Sequence, residues 1–141
     1  MISEEPRVYA LWELFRARWL GRYFQECGLK VVPNVSWRDG DNDFLEKYVL
    51  KTLPKNIPLI AMQLQTIDEE EMVGGLDTYI SSIQLVFDTL QPKGALIYAS
   101  KSGRKLLEKR INVGKTKVKV LTTRMEKLSV VAKARTKKTT I

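Results

Sequence analysis

Residues 16–37, Arg-Ala-Arg-Trp-Leu-Gly-Arg-Tyr-Phe-Gln-Glu-Cys-Gly-Leu-Lys-Val-Val-Pro-Asn-Val-Ser-Trp, read as a helix that stops at a glycine and feeds a strand. The stop falls at Cys27-Gly28, because a helix end favours a residue free to take the left-handed conformation. Leu29, Val31, Val32 and Val35 then supply a strand-like run. Pro33 interrupts it; proline cannot donate to a sheet ladder, so this strand lies at an edge or bulges there and re-aims Asn34 and Ser36.

Working upstream, Ser3-Glu4-Glu5-Pro6 has the form of a helix start, with a capping oxygen, acids in the first turn and an early proline. Val8, Leu11, Trp12, Phe15, Trp19 and Tyr23 recur at three or four residues and define one apolar face. That face is expected in the core, with burial against a second chain as the alternative. Arg18, Arg22 and Gln25 share another face, and Gly21, costly inside a helix, is expected to permit a close backbone approach.

Downstream the pattern repeats. Phe44, Leu45, Tyr48, Val49 and Leu53 follow an acidic turn at helical spacing, up to Pro54. Pro58 to Gln65 forms a second strand, with Gln63 and Gln65 pointing the same way. Met72 to Leu90 keeps a 3.6-residue period, although Gly74-Gly75 delays its start. Ala95 to Ser100 is a third strand, Leu106 and Leu107 anchor a short helix, and Thr116 to Leu121 alternates lysine with threonine or valine as an exposed edge strand does. The alternation argues for a single small α/β domain over residues 1–128, a mostly parallel four-stranded sheet with covering helices. Residues 129–141 lack core-forming periodicity and form a basic tail.

The 141 residues suit one core, and 44% hydrophobic with 28% charged residues is ordinary for a folded domain. No stretch approaches the roughly 18 apolar residues of a membrane span. The chain has no histidine, which removes Ser-His-Asp triads, Cys-His pairs and the usual zinc catalytic sites. Cys27, the one cysteine, cannot form an internal disulfide and is expected to be a packed thiol. Net charge is +8, unevenly placed: residues 1–91 hold 9 Lys+Arg against 14 Asp+Glu, and residues 92–141 hold 15 against 2. An acidic body with a basic end points to a polyanion partner, nucleic acid or an acidic protein surface.

Several motifs fail on spacing. Asp39, Asp41 and Asp43 alternate like a calcium loop, but the sixth and twelfth positions from Asp39 are Phe44 and Leu50 rather than glycine and glutamate. Gly114-Lys115-Thr116 resembles the end of a P-loop, yet the required upstream glycine is Lys109. No glycine fingerprint of a dinucleotide site follows a strand. Ser100-Lys101-Ser102-Gly103, a polar strand exit before a helix, has the form of a weak phosphate cradle. No catalytic residue, metal site or cofactor is assigned.

Arg18-Trp19-Leu20-Gly21-Arg22-Tyr23-Phe24-Gln25 followed by Gly28-Leu29-Lys30-Val31-Val32-Pro33-Asn34-Val35-Ser36-Trp37 resembles the signature of an uncharacterised domain family found in bacteriophages, plasmids and bacteria. The resemblance extends more loosely to Leu53-Pro54-Lys55, the second strand, the long helix and Tyr98, about residues 6 to 110. It implies an α/β fold and a phage or mobile-element setting, and no activity. The resemblance implies a further N-terminal segment with at least one more strand, which family members usually carry and which is expected to be missing here. Their second strand ends in a glycine-containing loop where this chain has Gln65-Thr66-Ile67, so the family's pocket is expected to be incomplete here.

Three functions fit. The first is a non-enzymatic nucleic-acid-associated protein that holds phosphates, without sequence readout, through Lys115, Lys117, Lys119, Lys133, Arg135, Lys137 and Lys138. The second is an assembly component, a homo-oligomer or part of a larger complex, whose tail docks on a neighbouring subunit. The third is a small enzyme at the strand carboxyl ends, with a pocket of Arg22, Asn34, Ser36, Trp37, Asp39, Gln65 and Lys101. The expected location is the host cytoplasm or the virion.

Overall fold

The computed structural model describes residues 6–38, 40–64, 75–122, 132 and 134–135. Helix α1, Arg7–Glu26, ends as its sequence requires: Gly28 takes φ +84°, its N–H donates to Gln25, and the Leu29 N–H reaches back to Phe24. This is the Schellman pattern, which satisfies carbonyls left open at a helix end.

The segment after the turn is extended but joins the sheet only briefly. Asn34 forms a single parallel bridge to Ala61, with Ala61 N–H donating to Pro33 O (2.9 Å) and Val35 N–H to Ala61 O (2.8 Å). Residue 33 would supply the next rung, and proline has no N–H to give. The expected fourth strand is therefore an edge contact, and the sheet has three strands: β1 Ile60–Leu64, β2 Gly94–Ala99 and β3 Lys117–Thr122, parallel and in that spatial order.

Helix α2, Asn42–Phe44, is capped by the Asp41 carboxylate accepting from Phe44 N–H (2.9 Å). It continues as a π-helical stretch, Leu45–Val49, and a 3-10 turn, Leu50–Thr52. The wider π turn puts Leu45, Val49 and Leu50 together into the core, and Pro54 ends the run. Helix α3, Gly75–Leu90, connects β1 to β2 and buries Tyr79, Ile83, Val86, Phe87 and Leu90. Helix α4, Lys101–Arg110, connects β2 to β3 and buries Leu106 and Leu107.

Right-handed crossovers that always step the same way along a sheet leave their helices on one face. Burial agrees. Ile60, Met62, Leu64, Ala95, Ile97 and Ala99 are buried on that face. The other carries Gln63, Lys117, Lys119 and Leu121 exposed, with Leu96 and Tyr98 half-buried. Among the described residues the helices thus cover one face of the sheet.

Helix α1 packs beside α2 rather than on the sheet. Arg7 pairs with Asp43 (2.6 Å) and lies 5.7 Å from the Phe44 and Tyr48 ring centroids; Arg18 Nε donates to Thr52 Oγ1 (2.9 Å). Its inner face is Ala10, Leu14, Arg18 and Gly21, and none of its residues is fully buried. The expected core stripe, Val8, Leu11, Trp12, Phe15, Trp19 and Tyr23, is exposed on the far side. Two further expectations are corrected. Cys27 is exposed rather than packed, and a Cβ on Gly21 would meet Val31 at an ordinary 3.5 Å, so no close backbone approach requires that glycine.

Candidate nucleic-acid interface

The basic surface begins with the alternation of β3. Lys117, Lys119 and Leu121 face outward while Val118, Val120 and Thr122 are half-buried. Parallel pairing sets Gly94 beside Lys117, Leu96 beside Lys119 and Tyr98 beside Leu121. Among the described residues no element covers this sheet face, which presents two lysines next to an aromatic and an aliphatic side chain.

Lys115 sits in the preceding turn, which Gly114 enters at φ +61° and which closes through Thr116 N–H to Val113 O (3.2 Å). Two hydrogen bonds anchor that turn to the chain entering β2: Thr116 Oγ1 donates to Pro92 O (2.7 Å), and Lys117 N–H donates to Lys93 O (3.0 Å). Gln84 of α3 clasps Asn112 from both sides, donating to its carbonyl (2.8 Å) and accepting from its N–H (2.9 Å). The lysines thus project from a held backbone.

Between these segments, at the amino ends of β2 and β3, lies an open cleft of about 800 Å³ lined in part by Asn56, Lys93, Asn112, Lys115 and Lys117. Asp88 is the acidic group in its wall, and it already accepts from Gln84 (2.8 Å). No ion pair among the described residues engages Lys93, Lys115, Lys117 or Lys119. The cleft is positive, and anion binding there needs no carboxylate to be displaced.

Of the residues expected to bind phosphate, Lys115, Lys117 and Lys119 are exposed in this one region. Arg135 is exposed and helical, while Lys133, Lys137 and Lys138 lie outside the described residues. The cleft's remaining lysine, Lys93, escaped the sequence reading. Its local sequence, Pro92-Lys93-Gly94, carries only the signal of a turn.

The structure describes five of the seven residues of the expected strand-end pocket. Asn34 and Ser36 are exposed whereas Trp37, on the opposite side of the extended chain, is buried with its ring 6.2 Å from Tyr79. Arg22 is exposed on α1 and paired with Glu26 (3.0 Å). Lys101 is exposed at the start of α4, where Ser100 Oγ already accepts the Gly103 N–H that a phosphate would need. Asp39 and Gln65 lie outside the described residues. None of Arg22, Asn34, Ser36, Trp37 or Lys101 lines the amino-end cleft. Among the described residues no three His, Cys, Asp or Glu side chains come together as a metal site, and no helix is long and apolar enough to cross a membrane.

The family described as "Domain of unknown function (DUF4417)" matches residues 1–113. The Gene 1 protein of Mycobacterium phage D29 is 29% identical over 94 residues, covering 66% of this chain and 32% of that protein. The Gene 1 protein of Mycobacterium phage L5 is 29% identical over 94 residues, covering 66% of this chain and 38% of that protein. The matched stretch thus spans about a third of the length of these relatives. No solved structure matches the chain.

Proposed function

Because the chain belongs to DUF4417, a family of unknown function with relatives in mycobacteriophages, we propose that it is a non-enzymatic accessory protein of a phage or mobile element. It binds nucleic acid without sequence preference, in the host cytoplasm or the virion. The observation that carries this reading is the convergence of Lys93, Lys115, Lys117 and Lys119, from two chain segments, on one cleft and the adjoining open sheet face. Lysines act as point charges on phosphates.

The test is binding to a labelled duplex and a labelled single strand from about 50 to 200 mM salt, where the slope of log K against log salt concentration is about −0.9 per duplex phosphate neutralised. Replacing Lys115, Lys117 and Lys119 together by alanine reduces the duplex slope by about 2.7 if each holds one phosphate. Binding that keeps its slope in this variant refutes the assignment.

An assembly role is favoured by a separate observation, the exposed aromatic side of α1. Failure of the wild-type chain to bind either probe at low salt would leave that reading in possession.

A further inference from the structure

Around α1, the outward side carries Val8 at 75% exposure, Trp12 at 55%, Phe15 at 58%, Trp19 at 62% and Tyr23 at 51%. Spacings of four, three and four from Val8 to Trp19 follow the seam by which one helix packs on another. The stripe is pre-arranged: Trp12 stacks on Phe15 with centroids 5.7 Å apart, and Trp19 on Tyr23 at 6.0 Å. Among the described residues nothing covers it.

We propose that this face of α1 pairs with the same face of a second copy of the chain. Area is the first argument. At about 150–250 Å² for a whole aromatic side chain, the exposed fractions of Trp12, Phe15, Trp19 and Tyr23 leave roughly 340–560 Å². Val8, exposed on the same side, extends this towards the ~500 Å² per partner, about 1,000 Å² in all, that a specific interface needs. An apolar patch of that size matches the largest found on a typical monomer, which is often an interaction site.

Charge is the second argument, and it selects a second copy over a charged partner. Arg16 pairs with Glu13 (2.9 Å), Arg22 with Glu26 (3.0 Å) and Arg7 with Asp43 (2.6 Å), so the helix presents its aromatics in a frame of internally compensated charge. Such a surface has no field with which to choose an acidic or basic partner. It meets an identical surface without like-charge repulsion at the contact, and an isologous pairing closes on itself.

Sedimentation equilibrium of the full chain at about 100 µM tests the proposal. A dimer is expected, and it tightens as salt rises, because screening weakens repulsion between two chains of net charge +8 while leaving apolar burial intact. A monomer at that concentration, or a dimer that dissociates as salt is added, overturns the proposal. Trp12→Glu combined with Trp19→Glu is expected to give a monomer with unchanged circular dichroism, because neither side chain is buried, and with a melting temperature that no longer rises with protein concentration. Persistence of the dimer in this folded variant also overturns it. If the variant does not fold, the wild-type salt response decides.

Discussion

Gly103 sits where the start of α4 crosses the end of β1, and a methyl group there would press into the Leu64 carbonyl oxygen, with the Leu64 and Ala99 Cβ atoms 3.2 and 3.4 Å away. Backbone on one side and core on the other leave nothing flexible to yield. Alanine is the better helix former by about 1 kcal/mol, but overpacking a filled interior costs about 1–3 kcal/mol. With backbone as the obstacle the steric effect wins: Gly103→Ala is expected to lower the unfolding free energy by up to about 2 kcal/mol, seen as a reduced urea midpoint at unchanged m. A midpoint equal to or above wild type would show that α4 can shift away from β1. Residue identity alone did not reveal this constraint, because Ser100-Lys101-Ser102-Gly103 reads equally well as a phosphate cradle. The Ser100 side chain consumes the relevant N–H, and the fold consumes the glycine.

Between α1 and α2 the link is electrostatic as well as apolar. The Arg7 guanidinium, hydrogen-bonded to Asp43, holds that carboxyl below its ordinary value of 3.8, and the Lys47 ammonium adds to the effect. Both cations are in turn held above their ordinary values, Arg7 and Lys47 alike chiefly by Asp43. For a depressed carboxylate the stabilisation is in full force above the ordinary aspartate range and fades as pH falls through the lowered value. The carboxyl resonance of Asp43 is thus expected to titrate below 3.8 by NMR, and Arg7→Ala to move its midpoint upward. The melting difference between the two proteins should shrink as acid protonates Asp43. An unmoved midpoint in the variant would assign the shift to Lys47 alone.

Element periods were legible because period is local; partners were not. The 2-residue alternation of β3 placed Lys117 and Lys119 on one face directly, and Gly28 marked the end of α1. Pro33 announced an interrupted strand, but only the register with Ala61 shows that one bridge is all that survives. In α1 two faces compete: the aromatics give the stronger periodic signal, yet the narrow side is what packs inward, Ala10 and Leu14 on the core and Gly21 towards Val31. Periodicity says that a helix has a face, and says nothing of what it faces. Lys93 was hidden for a related reason, since only the crossover through α4 brings it beside Lys117, 24 positions on.

Over the whole molecule, charge separates as the chain advances, from a net −5 in residues 1–91 to +13 in residues 92–141. The proposed interface draws on the positive part at two places, the lysines around the amino-end cleft and the expected tail, where Lys133, Arg135, Lys137 and Lys138 add four charges. If both hold phosphates, their salt slopes add, because counterions released at separate contacts are counted independently. A chain ending at Val130 is then expected to lose about 3.6 from the duplex slope, and the Lys115, Lys117 and Lys119 alanine variant about 2.7. The combined variant should lose the sum. Truncation that weakens binding at constant slope would mean that the tail acts by some contact other than with phosphate. Truncation without effect would confine the interface to the cleft and the open sheet face, where four lysines set a ceiling of about 3.6 on the slope. A measured wild-type slope above that ceiling requires further cations, and after the tail the exposed basic residues of α4 are the next group to replace.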